Sequence, residues 1–309
     1  MKMISSITKA VAGLCILSAI TFVACKKDNS NSNVTNVDDA TYTTTTTESD
    51  AEADVVFDDV FDNVVGTNDE VGMSGVGVLS TGSHSSTETV IIGEMGVDTI
   101  PTPACFTITV TQLSPPARFP LKIVVDFGTG CTGRDGRTRK GKIVTVYTKR
   151  LVEPGAKATT TFDGYYVNDV KVEGTHIIEN TSTTDKRIFH VQVIGAKLSK
   201  PNGNYTEWSS DKSIEQTAGL GTPFWPLDDE FTVSGQANGT HHRGAEFMQW
   251  AHIISKPLVK RFTCRWIVKG EITIKKGTKP VAYLDFGAGD CDNKATITVN
   301  GQVREITLH

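Results

Sequence analysis

Residues 105–133 read CFTITVTQLSPPARFPLKIVVDFGTGCTG, and residues 264–293 read CRWIVKGEITIKKGTKPVAYLDFGAGDCDN. Each stretch opens with a cysteine at the head of an alternating strand. Each then crosses a Pro-containing connection and runs an apolar strand into Asp-Phe-Gly-x-Gly before closing on a second cysteine. The cysteine separations are 26 and 27 residues. A Lys-led strand follows each copy, KGKIVTVYT in the first and KATITVNGQV in the second. The coincidence of so many features reads as an internal duplication, spanning 105–150 and 264–309.

The chain between the copies has the same texture. ATTTFDGYYVN, DVKVEGTHIIENT, RIFHVQVIGAKL, EFTVSGQAN and FMQWAHIIS alternate apolar and polar residues. Pro-Gly, Asn-Gly and other glycine turns separate them, as in EPG at 153–155 and PNGN at 201–204. Short turns between long strands favour antiparallel neighbours. The expected class is all-β over 103–309: an antiparallel meander forming a sandwich or a curved half-barrel.

Four cysteines lie in this body, which allows three pairings. The repeat favours Cys105–Cys131 and Cys264–Cys291. Zinc is the competing use, but no C-x-x-C or close Cys/His spacing supports it. The glycines of DFGxG mark tight turns, and Asp126 and Asp285 are placed to cap them. In the second copy Asp285, Asp290, Asp292 and Asn293 gather oxygen ligands, which makes a calcium loop the alternative to a plain Asx turn. The EF-hand spacing is absent.

The residues ahead of the body differ in kind. Residues 26–100 hold 15 Asp/Glu against 2 Lys, whereas residues 101–309 hold 20 Asp/Glu against 27 Lys/Arg. An acidic arm precedes a mildly basic body. The bland reading is a solvated tether; the sharper one is an arm that folds back onto the body or chelates cations. Residues 25–48, with TYTTTTT, read as a flexible polar tether. In 49–66, Ser49 and Glu52 make a capping-box pattern. Val56, Val60, Phe61 and Val64 lie at helical spacing, which predicts an amphipathic helix over Asp50–Val65 that docks onto something. Residues 67–102 read as a Gly/Ser/Thr-rich linker or one edge strand.

The chain begins MKMISSITKAVAGLCILSAITFVAC. Lys2 and Lys9 precede a short apolar run that ends in Phe22, Val23, Ala24 and Cys25. The run is too short for a permanent span and fits a secretory signal over 1–24. The site resembles the lipobox of bacterial lipoproteins, with Phe22 where Leu is usual. The resemblance implies a cysteine, here Cys25, that becomes the acylated mature N-terminus, and more than one acyl chain gives stable anchoring. Lys26 in place of Asp implies sorting to the outer membrane. CKKDN resembles the export signal of surface lipoproteins in Bacteroidota. The whole plan of lipobox, polar tether, helix and β domain is similar to that of Bacteroidota-type outer-membrane lipoproteins.

Catalytic signals are absent from the sequence: there is no G-x-S-x-G and no H-E-x-x-H, and DFG lacks every other kinase element. The expectation is a non-catalytic protein. No basic run with interleaved aromatics points to nucleic acid. Adjacent His241 and His242 would face opposite ways in a strand; a loop pair without a role is the expectation, and His176, His190 and His252 carry no motif. Phe224 and Trp225, with Trp208 and Trp250 nearby in sequence, are the candidate ring platform for a glycan; core plugging is their alternative use. Three functions follow as expectations: a glycan-binding envelope protein with an exposed aromatic strip, a carrier of a lipophilic ligand in a concave sheet holding the acidic-arm helix, and a purely structural envelope protein.

Overall fold

A computed structural model describes residues 39–65, 90–92, 105–133, 136–221, 226–264, 266–277 and 279–307. It is mostly β. The strands are β1 (Val90–Ile92), β2 (Thr107–Gln112), β3 (Leu121–Asp126), β4 (Cys131–Thr132), β5 (Thr138–Tyr147), β6 (Lys157–Val167), β7 (Val170–Asn180) and β8 (Arg187–Ser199). They continue as β9 (Tyr205–Ala218), β10 (Glu230–Arg243), β11 (Glu246–Arg261), β12 (Ile267–Lys276), β13 (Lys279–Ala288), β14 (Lys294–Val299) and β15 (Gln302–Thr307). Fourteen follow one another across a single sheet, and β4 pairs off this path with β5. All pairings are antiparallel except β1 with β2. The sheet is an open meander: among the described residues its first and last strands do not meet.

The repeat frames the sheet. Cys105–Cys131 and Cys264–Cys291 both form, with Cα separations of 5.2 and 5.7 Å. In both copies the aspartate of DFG accepts the N–H of the residue two ahead, Gly128 to Asp126 and Gly287 to Asp285, each at 2.8 Å. One local sequence thus makes the same Asx turn at two distant places.

One helix, α1, spans Asp39–Val65. It starts ten residues before the expected Ser49, so the TYTTTTT stretch is helix rather than tether. Thr46 is 0% exposed, and its Oγ1 donates to the Tyr42 carbonyl one turn back at 2.9 Å. Threonine is a weak helix former in isolation, and here tertiary burial overrides that preference. Ser49 lies inside the helix instead of capping it, 3.1 Å from His241 Nδ1.

α1 is buried around most of its circumference. Over 41–65 only Thr41, Thr44, Glu48, Ala51, Val55 and Asp58 are exposed, at alternating three- and four-residue steps that trace one narrow stripe. A flat sheet covers at most one side of a helix, so this sheet must wrap around α1. Glycine bulges supply the bend. Register shifts fall at Gly141 in β5, Gly174 in β7, Gly195 in β8, Gly235 in β10 and Gly270 in β12. A bulge bends its strand and adds twist. At Gly141 (φ +78°) an added Cβ would lie 1.9 Å from the Gly164 carbonyl oxygen of β6, and at Gly235 (φ +136°) it would lie 2.2 Å from that of Asp211 in β9. Both positions require glycine, for backbone conformation and for close approach. The bulges form an oblique crease, and α1 lies in it.

The helix crosses the sheet against chain order. Near its start, the Tyr42 hydroxyl donates to the Gln249 carbonyl of β11, with the Lys276 ammonium 4.2 Å above its ring. Near its end, the Tyr147 hydroxyl of β5 donates to the Val64 carbonyl at 2.8 Å. Between them Ala53, Val56, Phe57 and Val60 pack against Tyr147, Tyr165, Ile178, Val193, Trp208 and Trp250 in one core.

Candidate functional site

The floor of the crease carries the most organised chemistry among the described residues. Three acids of α1 point into it, and each meets donors borne by the sheet. Asp50 is the most fully met. Trp208 Nε1 in β9 and Trp250 Nε1 in β11 both donate to its Oδ1, each at 3.0 Å. His252 Nδ1, two residues beyond Trp250 on the same face, pairs with its Oδ2. Gly239 of β10 stands in register with both tryptophans. A Cβ there would lie 2.4 Å from Trp250 Cζ2, so the glycine makes room for the indole. The sheet therefore presents three convergent N–H donors in an apolar wall.

Asp54 pairs with Lys212 of β9 at 2.5 Å. Asp59 accepts from Arg139 Nε at 2.9 Å and from Arg137 Nη1 at 3.1 Å, and also pairs with Arg139 Nη2. Glu52 reaches Lys200 at 2.8 Å. The acidic arm, over 39–65, is thus folded back on the basic body, and the charge asymmetry of the sequence becomes a row of specific pairs.

Burial and pairing set the protonation states. Burial works against the Asp50 charge, but His252, by charge and hydrogen bond, and the two indoles hold its carboxyl below the usual carboxylate range. Burial likewise opposes a charged His252, yet Asp50 prevails and keeps this imidazole above its ordinary pKa. Burial disfavours charge on Lys212, and the Asp54 and Asp58 carboxylates overcome it and raise the ammonium. His176 is the contrast. It lies between Phe57 and Phe61, ring centroids 6.2 and 6.5 Å away, and neither ring nitrogen has a partner. Burial pushes its pKa down to about 4, against a weak opposing pull from Asp58.

Among the described residues, Asp50, Asp54 and His252 are the trio whose ligand atoms come within 4.8 Å of one another. The donor set does not suit a cation. Asp50 is already saturated by three N–H groups, and Lys212 occupies Asp54. His252 Nδ1 is turned to Asp50, and the two negative charges face two positive ones. Nor is the Asp50–His252 pair an accessible general base: His252 is 0% exposed and its free Nε2 is buried without a partner.

The residues singled out by sequence fare differently. Trp208 and Trp250 are each 3% exposed, so they are no external platform for a sugar. They line the crease, with indole N–H groups turned to Asp50. Phe224 and Trp225 lie outside the described residues, as do Cys25 and the leader. Asp285 and Asp292 each accept a backbone N–H within their own turn, from Gly287 at 2.8 Å and Lys294 at 2.9 Å. They act as Asx turns, and with Asp290 they line one shallow surface cleft.

His241 and His242 do face opposite ways, but in strand β10 rather than a loop. His241 turns to α1, 3.2 Å from Thr206 Oγ1. His242 stacks on Tyr205 on the outer face at 4.2 Å, 12° from parallel. Lys197 covers the other face of Tyr205 at 4.2 Å, and exposed Phe247 stands 6.3 Å beyond His242. Tyr205 is thus covered by His242 and Lys197, whereas the Phe247 ring is 63% exposed.

Sequence reasoning missed Asp50, Asp54 and Asp59 as inward-facing groups. Their periodicity was available: 50, 54 and the following valines share one side of a helix that starts earlier than expected. No family model, curated protein or solved structure matches this chain.

Proposed function

We propose that this is a non-catalytic, lipid-anchored protein of the outer envelope, whose creased sheet is a binding trough for a lipophilic ligand. In this reading Cys25 carries the anchor and α1 is the trough's resident occupant. The observation that carries it is the contrast between the two faces of the sheet. The inner face is an apolar and aromatic core reaching from β2 to β11, packed against a helix held through side chains. The outer face carries a short ring row, in which Tyr205 is covered by His242 and Lys197.

A glycan platform needs exposed ring faces, and Trp208 and Trp250 do not provide them. A trough whose plug is part of the same chain is a common-sense way to keep apolar surface from water until a ligand arrives. The test is a binding screen of the chain from residue 26 onward against a lipid panel and a glycan array. Capture of a lipid, accompanied by increased proteolysis within 39–65, is the expected result. Binding of glycans alone would overturn it in favour of the envelope-glycan reading, and silence from both would leave a structural protein.

A further inference from the structure

Resting on that trough, the geometry points to a specific head group: the sheet carries a receptor for a carboxylate, built by Trp208, Trp250 and His252 around Gly239 and filled in cis by Asp50. Its proper ligand is a single-chain lipophile ending in a carboxylate.

The receptor belongs to the sheet, not to the helix. All three donors sit on β9 and β11 and face the crease, and the residue between the two indoles is a glycine that a side chain would clash with. Two N–H groups meet one oxygen and a third meets the other. That pattern suits the two oxygens of a carboxylate. A phosphate would bring more oxygens than these three donors meet, and further charge. A hydroxyl has one oxygen and would leave donors unmet, which is costly in an apolar wall. Around the donors lie Phe57 and the indole rings, with the Phe57 ring stacked on Trp208 at 5.6 Å. Beyond them Val193, Ile178 and Tyr165 pack with Val56 and Val60 of α1, apolar surface that an alkyl chain would take over only as the helix gives way.

Asp50 on α1 is then an internal competitor. A covalently tethered competitor acts at an effective concentration near millimolar or above, so it masks the intrinsic affinity of the site. Removing that one carboxylate unmasks it.

The experiment is equilibrium dialysis of oleate, oleyl alcohol and oleyl phosphate, each below its micelle concentration. The chain from residue 26 onward is compared with Asp50→Ala and with Asp50→Ala/Trp250→Phe. Oleate is expected to bind Asp50→Ala at least tenfold more tightly than the parent chain, with the gain lost in the double variant and absent for the alcohol. Equal gains for all three lipids would overturn carboxylate recognition while leaving the lipophile trough standing. No binding of any lipid by any variant would overturn both. Should Asp50→Ala fold poorly, its thermal unfolding in acetate against chloride decides the matter: acetate is expected to restore stability by occupying the vacated cage, and equal behaviour in the two salts would overturn the site.

Discussion

The middle of the sheet and its two ends are secured by different chemistry. The middle is held by α1 through buried charges: Asp50 with His252, Asp54 with Lys212, Asp59 with Arg139. The ends are held by covalent bonds, Cys105–Cys131 beside β2 and Cys264–Cys291 beside β12. The difference follows from what each region lacks. The ends bury apolar side chains, Ile108 and Leu121 at one and Leu284 and Ala295 at the other, but no ion pair ties them to α1 among the described residues, and loops closed by disulfides restrict the unfolded chain there. Strands in the middle have a helix to pack on, but that helix brings acids into an apolar crease, and each must be neutralised there. The middle should therefore respond to charge and pH, and the ends to reductant.

The largest effect is expected at Asp59. Asp59→Ala leaves Arg139 buried at 3% exposure without its carboxylate. Breaking a buried pair on one side costs about 3–5 kcal/mol, to be read from urea unfolding. The double variant Cys105→Ser/Cys131→Ser should cost about 3 kcal/mol and should abolish the response of that end to reductant, with α1 docking unchanged. If either change instead exposed 39–65 and the sheet ends together to protease, the two regions would be one cooperative unit and the comparison would fail.

The third test sharpens the pH side. His176 has a folded pKa of about 4, below its ordinary value of 6.5, so the unfolded chain binds the proton first as pH falls. Its contribution to stability is full above pH 6.5 and declines as pH drops toward 4. At pH 5 the loss is about 2 kcal/mol. Asp62 acts in the opposite sense, because burial raises its pKa to about 6, and its protonation favours the folded state as pH falls. Comparing wild type with His176→Phe removes this background. The variant should gain about 2 kcal/mol on wild type between pH 7 and pH 5, in paired denaturant titrations. Parallel curves would show that His176 is not the buried neutral group described.

The smallest effect compares the two ends with each other. Asp126→Ala and Asp285→Ala each delete one exposed Asx hydrogen bond of 2.8 Å. Each should cost about 0.5–1.5 kcal/mol, and by similar amounts, in thermal melts. A large inequality would mean that the two turns are not equivalent in use.

Much of the fold was legible. Period-two strands, glycine and proline turns and short connections gave an antiparallel meander, and the duplication favoured both disulfides over the other pairings. The start of α1 was not legible, because a run of threonines has weak helix preference and its burial depends on strands far along the chain. The crease left a trace that went unread. Gly174 in VEGTH and Gly195 in VIGAK interrupt alternating strands, which is the sequence mark of a bulge. The cage around Asp50 could not be read at all. Its donors lie 158, 200 and 202 residues away, and only the register of β9, β10 and β11 brings them together. For the same reason Trp208 and Trp250, prominent in sequence as candidate exposed rings, became inward-facing donors.

The early start of α1 also sets a distance. On the proposed anchor, Asp39 stands 14 positions after Cys25, a span of at most about 50 Å. On that proposal a seated α1 would hold its own start within that span of the membrane. Were α1 to leave the crease, Val90 of β1 would stand 65 positions from the proposed anchor, a contour length of up to about 230 Å. Occupancy of the crease would then be reported as altitude: the helix in its seat would keep the protein low, and a ligand in its place would let it rise.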